Sequence, residues 1–271
     1  MINCFPTVRP WARATAPRVA LAFLVAARLV LGACSSGNSR SRDVAEAGSA
    51  ESLYLIGKRA LNQGDFLTAI STFEVLGARY PFGNFTQQAQ LDIAYAYFRQ
   101  GEYDNAVDSA NRFIKLYPRS ERLDYAYYIK GLSHFSRGTT LFEGMVPRDM
   151  ARLDQSWLRA AYNEFDNLAR RFPDSEYVED AIARMQFLRN EMARHELVTA
   201  RFYYQRGAMV AVVNRVNWLL EHYDGSTHVP DALALMADAY EAMGQSDLRD
   251  DTLRVLAETQ PDHPALDRQR S

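Results

Sequence analysis

Residues 64–81, GDFLTAISTFEVLGARYP, and residues 101–118, GEYDNAVDSANRFIKLYP, are two copies of one pattern that decides the fold of the chain. Each copy begins with a glycine, has an aromatic residue and an alanine at matching positions, and ends with tyrosine and proline. Glycine tolerates the positive φ of a tight turn, and proline ends a helix because it lacks the N–H that continues the hydrogen-bond ladder. Each copy therefore predicts a turn followed by one helix.

The same spacing continues toward the C-terminus and sets a period for the chain. A sixteen-residue interval between a glycine and the end of the following helix recurs from Gly207 to Tyr223 and from Gly244 to Gln260. Within each of two runs, neighbouring glycines are 37 residues apart. The first run consists of Gly64, Gly101 and Gly138, and the second of Gly207 and Gly244. A fixed period in this range indicates stacked supersecondary units, so the interpretation applies to the whole fold.

A further helix is expected before each turn, because apolar residues recur at i, i+3 and i+4 on both sides of each glycine. Helix pairs with this pattern are typical of the tetratricopeptide repeat. Small residues such as Gly57 and Gly131 in the first helices allow two backbones to approach closely. The other residues expected in the core are Leu53, Ile56, Ala60, Ala69 and Phe73; Ile93, Ala94, Tyr97, Ala106, Ala110 and Phe113; Tyr127, Ala161, Phe165 and Leu168; Ala200, Tyr203, Val212, Val216 and Leu219; and Leu233, Ala237, Tyr240, Leu253 and Leu256.

The sequence therefore predicts an all-α fold. We expect a tetratricopeptide-repeat solenoid of five helix-turn-helix units over residues 51–261, followed by a C-terminal tail over residues 262–271. One residue departs from the pattern, because Arg249 occupies a position where the fifth unit would have a small side chain. The last unit ends the stack with a polar outer face, so a charge is compatible with that position.

Two intervals are longer than the period and predict two irregular units. The third unit has a surplus of 18 residues, which predicts an insertion over residues 138–155 between its helices. A surplus of 14 falls within residues 175–205, which contain neither proline nor glycine. This stretch predicts an extended first helix in the fourth unit, about 30 residues and 45 Å long. Ser175 is the predicted N-cap of that helix.

The N-terminal segment has the features of a secretory signal. Residues 1–33 contain four arginines and no acid, an apolar run over residues 19–27, and small residues before Cys34. These features are typical of a lipoprotein signal peptide, and the apolar run is too short to span a bilayer. We therefore expect a signal peptide over residues 1–33, a lipidated Cys34 and a flexible tether over residues 34–50. The alternative is an ordinary signal peptide with an incidental cysteine.

Charge and motif content argue against several functional classes. Removal of the signal peptide takes away four positive charges, so the formal net charge changes from −2 to −6. This balance argues against general nucleic-acid binding. The mature chain would retain Cys34 as its only cysteine and form no disulfide. No zinc-protease histidine pair, Gly-rich phosphate loop or nucleophile elbow is present in the sequence, so we expect no enzyme activity, metal or cofactor.

Histidines and tyrosines on the helices are interpreted as structural. His195 and Glu196 are predicted to lie on a solvated face of the long helix. His222 and His228 flank a predicted turn, and we expect no ligand pair there. Most of a set of helical tyrosines are expected to pack in the core, and the remainder to line the concave groove where repeat proteins bind extended peptides. The set consists of Tyr95, Tyr97, Tyr125, Tyr127 and Tyr128.

Several stretches of the chain resemble the BamD family, the lipoproteins of the outer-membrane β-barrel assembly machine. The similarity is strongest in residues 201–216, RFYYQRGAMVAVVNRV. It extends to residues 124–131 (DYAYYIKG), residues 172–181 (FPDSEYVEDA) and the inserted segment with Pro147, Arg148 and Asp149. Single tetratricopeptide units are common, whereas the order of an insertion in the third unit and a long helix in the fourth is specific to this family.

The resemblance implies a function and a set of partners. It implies an outer-membrane lipoprotein on the periplasmic face, which binds the periplasmic domains of BamA and the other lipoproteins of the machine. It also implies a role in receiving and inserting unfolded outer-membrane proteins. The alternative is another envelope tetratricopeptide adaptor, one that serves cell-wall synthesis or division.

The insertion over residues 138–155 is a predicted contact element. Long loops in compact repeats are usually functional or disordered. Phe142, Met145 and Arg148 combine apolar and basic side chains in a mixture that suits an interface. The alternative is that its apolar residues fold back on the solenoid.

Arg215 is the predicted partner-binding residue of the fourth unit. It lies three residues after Val212 and one before Val216, so we expect it at the edge of the buried stripe, with its side chain facing outward. By resemblance, the family uses the matching arginine to contact BamA, and Asn214 and Arg206 are the next candidates. The alternative is an exposed arginine in a surface ion pair. In either case, replacement of Arg215 by glutamate is expected to leave melting nearly unchanged.

Overall fold

The structure, a computed structural model, describes residue 44 and residues 48–137 and 154–267. Within these ranges the chain forms helices and no strand. The helices are α1 (Ala50–Asn62), α2 (Phe66–Arg79), α3 (Asn84–Gln100), α4 (Tyr103–Leu116), α5 (Leu123–Arg137), α6 (Ser156–Arg171), α7 (Val178–Gln205), α8 (Met209–His222), α9 (Val229–Ala242), α10 (Ser246–Thr259) and α11 (Pro264–Asp267). Each of the first ten packs mainly on its neighbours in sequence, and first helices of adjacent pairs also touch. The predicted all-α tetratricopeptide-repeat solenoid with five helix pairs is confirmed.

The turns inside the helix pairs depend on glycines in the left-handed region. Gly64, Gly101, Gly207 and Gly244 have φ values of 77°, 82°, 73° and 71°. A side chain with a Cβ is strained at such φ values, which explains the regular spacing of glycine in the sequence. The remaining glycine of the series, Gly138, lies outside the described residues.

The first and second helices of a pair approach closely where the first helix has a glycine. A Cβ built on Gly57 would lie 2.5 Å from a ring carbon of Phe73, and a Cβ on Gly131 would lie 2.5 Å from a ring carbon of Phe165. Both phenylalanine rings are almost fully buried. The prediction that small residues at this position allow two backbones to approach closely is confirmed.

The core runs along the length of the solenoid. One cluster of buried residues extends from α5 through α7 to α11, and another joins α1, α2 and α3. Each helix contributes an apolar stripe, as in Leu158, Ala161, Phe165 and Leu168 of α6, all of which are fully buried. No helix in the described part of the chain is both long and apolar enough to cross a membrane.

The long helix α7 is present, but it begins later than expected. It has 28 residues and starts at Val178, with Tyr177 in the N-cap position. Ser175, the predicted N-cap, is therefore not the cap. Its hydroxyl donates to Asp124 Oδ2 at 2.7 Å and accepts from the backbone N–H of Tyr177 at 3.3 Å. Ser175 thus connects the turn before α7 to the first helix of the third unit.

The last unit ends in a short segment that folds back on it. Ala265 in α11 is buried, and its N–H donates to His263 Nδ1 at 3.2 Å. His263 Nε2 lies 3.2 Å from Asp231 Oδ1 at the start of α9. Arg249 on α10 is partly buried, and its guanidinium contacts Asp250 Oδ1 at 2.7 Å and Glu241 Oε1 of α9 at 3.7 Å. Part of the predicted tail therefore packs on the fifth unit.

Candidate partner-binding site

The fourth unit holds the candidate site between α7 and α8. Val212, Val216 and Leu219 are fully buried and fix α8 against α7, as the i, i+4, i+7 spacing predicts. With this stripe buried, Asn214 is exposed and Arg215 lies at the stripe's edge. The local sequence therefore places both predicted residues on the accessible side of α8.

Arg215 forms a salt bridge with a buried glutamate of the same protein. Its Nη1 donates to Glu196 Oε2 at 3.0 Å, and the Arg215 side chain is 43% exposed while that of Glu196 is 6% exposed. The two expectations from sequence were a partner-facing arginine and an exposed surface ion pair. The structure shows a pair of a different kind, since one member is buried in the core and the other reaches the surface.

The prediction that His195 and Glu196 lie on a solvated face is wrong for Glu196. His195 is partly exposed, but Glu196 belongs to the buried stripe of α7. The stripe continues four residues to either side, at Met192 and Ala200. A buried carboxylate requires a compensating partner, which Arg215 provides. The i, i+4, i+8 spacing around Glu196 is the signal by which its burial could have been found in the sequence.

Glu196 also lies beside the residue that follows α8. Burial raises the pKa of Tyr223, the nearby charge of Glu196 adds to the rise, and Arg159 opposes it. Tyr223 is itself buried, and its N–H donates to Leu219 O at 2.8 Å. The carboxylate of Glu196 therefore lies near a second buried side chain at the end of α8.

Exposed apolar side chains lie on α8 and at the end of α7, in the same unit as Arg215. Val210, Asn214 and Trp218 share one face of α8 by their i, i+4, i+8 spacing, and all three are exposed. At the end of α7, the guanidinium of Arg206 lies 3.9 Å from the centre of the exposed Phe202 ring. Aromatic and arginine side chains are enriched at protein interfaces. The composition of this surface therefore suits a protein partner.

The histidines beside this surface make local contacts. His222 stacks on Trp218 with ring centres 3.7 Å apart, and its Nδ1 lies 3.0 Å from Trp218 O. Burial lowers the pKa of His228. Among the described residues, no group of three or more His, Cys, Asp and Glu side chains could hold a metal ion.

A tyrosine cluster lies where the third unit meets the start of α7. Tyr128 stacks on Tyr177 at 4.7 Å, and its hydroxyl donates to Asp180 Oδ2 at 2.8 Å. Burial, together with this hydrogen bond, raises the pKa of Tyr128 to about 12. Tyr127 is buried and Tyr125 is partly buried, so packing explains their presence. The tyrosines of α3, Tyr95 and Tyr97, are likewise partly buried against the first core cluster.

Four of the predicted site residues lie outside the described residues. They are Cys34 at the expected lipidation site and Phe142, Met145 and Arg148 in the insertion. These assignments stay predictions.

Comparison with known proteins places the chain in a family. The family model YfiO, described as an outer membrane lipoprotein, matches residues 46–255. Three curated relatives carry the name outer membrane protein assembly factor BamD. The chain is 36% identical to the protein of Xylella fastidiosa (strain 9a5c) over 92% of this chain and 85% of that protein. It is 34% identical to the protein of Neisseria meningitidis serogroup A over 88% and 90%, respectively.

The third relative, from Haemophilus influenzae, is 36% identical over 87% of this chain and 88% of that protein. Similarity to solved structures is weaker. The MamA protein structure is 18% identical with a TM-score of 0.38, over 79% of this chain and 94% of that one. Because the family model matches residues 46–255 and the curated relatives are 34–36% identical over most of the chain, the chain belongs to the YfiO family of outer membrane lipoproteins, the family of the BamD assembly factors.

Proposed function

We propose that this protein is a non-enzymatic scaffold of the β-barrel assembly machine, anchored to the outer membrane on its periplasmic face. In this role it binds the periplasmic domains of BamA and other lipoproteins of the machine, and helps to receive and insert unfolded outer-membrane proteins. The observation that supports this proposal most directly is membership in the family of BamD assembly factors over residues 46–255. A solenoid of helix pairs offers extended surfaces for several partners at once, which suits a scaffold.

The surface around Arg215 is the proposed BamA contact. A guanidinium pairs with carboxylates in a planar, bidentate arrangement that an ammonium does not reproduce. The exposed Val210 and Trp218 supply apolar area on the same helix. Buried aromatic and arginine anchors carry much of the binding energy of typical interfaces. Asn214 and Arg206 are the neighbouring candidates on the same unit.

Substitution of Arg215 by lysine tests this contact. Lysine retains the charge that faces Glu196 but loses the planar guanidinium, so we expect melting to change little. We expect the affinity for the purified periplasmic part of BamA, measured by titration calorimetry, to fall by about tenfold. Arg170→Lys, at an exposed ion pair with Asp166 on α6, is the matched control and should bind normally. If Arg215→Lys binds as tightly as wild type, the contact lies elsewhere on the unit.

Affinity isolation from solubilised envelopes distinguishes the proposed function from other envelope roles. BamA as the main protein recovered supports the proposal, whereas cell-wall enzymes in its place contradict it. Depletion of the protein adds a second readout. We expect outer-membrane barrels to fail to assemble before any cell-wall defect is visible.

The membrane anchor is proposed to be lipidated Cys34. Two or more acyl chains hold a protein stably on a membrane, whereas one chain binds marginally. We expect Cys34→Ala to accumulate as unprocessed precursor or as a soluble periplasmic protein, detected by fractionation and immunoblotting. A Cys34→Ala protein that is still processed and membrane-bound in cells without BamA would contradict the anchor.

The insertion over residues 138–155 is proposed to contact another component of the machine. Replacement of the insertion by a four-residue turn should leave melting unchanged and weaken assembly of the complex, measured by co-purification. A second variant keeps the full length of the insertion but carries Phe142→Ser and Met145→Ser, so it tests the apolar side chains without a change in length. Normal co-purification of both variants would show that the insertion is not a contact element.

A further inference from the structure

Glu196 is an unusual residue in the core of the fourth unit. The side chains that the structure buries along α7 are Ala181, Leu188, Met192, Ala193, Glu196, Leu197 and Ala200. Glu196 is the one charged member of this set, and burying a carboxylate is costly unless it is paired and hydrogen-bonded. An apolar residue of similar size would fill the same place without that cost, so packing alone does not account for a glutamate there.

The pair with Glu196 leaves part of the Arg215 side chain exposed to solvent. The short contact joins Nη1 of Arg215 to Oε2 of Glu196 at 3.0 Å. A guanidinium has five N–H donors arranged in a rigid fork. The Arg215 side chain is 43% exposed, so one part of it meets Glu196 while another part faces solvent. Guanidinium groups pair with carboxylates through this fork, often with two parallel hydrogen bonds.

We propose that Glu196 is a positioning residue, which orients the Arg215 guanidinium so that its free N–H groups face a carboxylate on the partner. This inference rests on the proposed role of Arg215 in the BamA contact. An unrestrained arginine samples many rotamers, and part of that freedom is lost when it binds a partner. A glutamate fixed in the core removes part of that freedom during folding. The partner then meets an arginine that is already oriented.

Charge alone predicts that removal of Glu196 strengthens binding, whereas the positioning role predicts that it weakens binding. If the glutamate only competed with the partner for Arg215, its removal would free the full positive charge and strengthen binding. If Glu196 orients Arg215, its removal weakens binding even though the local charge becomes more positive. The sign of the effect therefore separates the two roles.

A double-mutant cycle tests the positioning role. The four proteins are wild type, Glu196→Met, Arg215→Met and the double variant, titrated with the purified periplasmic part of BamA. Methionine suits position 196 because the neighbouring buried residues are apolar, and it removes the acid without leaving a buried charge. We expect Glu196→Met to weaken binding by about tenfold when Arg215 is present and by less than about twofold in the Arg215→Met background.

Glu196→Gln gives a graded variant and guards against a folding defect in Glu196→Met. The amide retains an oxygen that can accept from Arg215 Nη1, so its affinity should lie between those of wild type and Glu196→Met. Glu179→Met, an exposed acid at the start of the same helix, is the control for loss of one negative charge and should bind as wild type. Far-UV circular dichroism at the assay temperature confirms that each protein is folded.

The outcomes separate failure of this inference from failure of the proposed contact. If Arg215→Lys binds BamA as tightly as wild type, both ideas are overturned, because Glu196 then has no binding guanidinium to position. If the Arg215 variants lose affinity while Glu196→Met binds equally well or more tightly, the positioning role alone is overturned. Equal losses from Glu196→Met with and without Arg215 also overturn it, since they show a general structural effect.

Discussion

Arg215→Glu will destabilise the protein by about 3 kcal/mol, because it leaves the buried carboxylate of Glu196 without its partner, and removing one partner of a buried charge pair costs about 3–5 kcal/mol. The substitution removes the donor that faces Glu196 and places another carboxylate near it. The lower end of the range applies because the Arg215 side chain is 43% exposed, so the new carboxylate can turn toward water. Urea unfolding monitored by circular dichroism measures the loss.

Two further variants show whether the buried acid causes this effect. Arg170→Glu changes an exposed ion pair with Asp166 on α6 and should alter stability by no more than about 1 kcal/mol. Adding Glu196→Met to Arg215→Glu removes the buried carboxylate and should recover most of the lost stability. An Arg215→Glu protein that unfolds at the same urea concentration as wild type would contradict the interpretation of Glu196 as a buried, paired charge.

The sequence predicts that Arg215→Glu leaves melting nearly unchanged, whereas the structure predicts a loss of stability. The difference has a physical reason. The spacing of Val212 and Val216 correctly places Arg215 at the edge of the stripe, because helix periodicity is local. The position of Glu196 depends on how two helices meet, and its partner lies 19 residues away on α8. Sequence periodicity indicates which face of α7 is buried. It does not indicate that an arginine on the next helix makes a charge acceptable there.

The start of α7 also depends on a contact with a distant residue, which the sequence pattern does not show. Ser175 fits the composition of an N-cap, but its hydroxyl bonds Asp124, a residue 51 positions earlier in the chain. By contrast, Gly64 and Gly101 are predictable because the need for positive φ is a property of the residue itself. Local requirements for turns and stripes therefore determine most of the solenoid. Contacts between helices decide the details at the candidate site, and sequence patterns do not contain them.

Gly131 in α5 lies where that helix packs against Phe165 of α6, so a larger side chain there should reduce stability. We expect Gly131→Val to destabilise the protein by about 3 kcal/mol, at the upper end of the cost of overpacking a core. A Cβ at this position would lie 2.5, 2.6 and 2.9 Å from three ring carbons of Phe165. The ring is fully buried, so it has little room to move away. Urea unfolding gives the free energy of unfolding.

Gly77 provides the matched control for Gly131, since it lies within α2 and a Cβ there would meet no atom within 4 Å. Gly77→Val should change stability by less than about 1 kcal/mol, because valine is a slightly better helix former than glycine. Combining Gly131→Val with Phe165→Ala removes the ring carbons that the new side chain would meet. The loss of unfolding free energy in the double variant should therefore be at least about 1 kcal/mol smaller than the sum of the losses in the two single variants. Additive effects of Gly131→Val and Phe165→Ala would show that the close approach of α5 and α6 does not depend on this glycine.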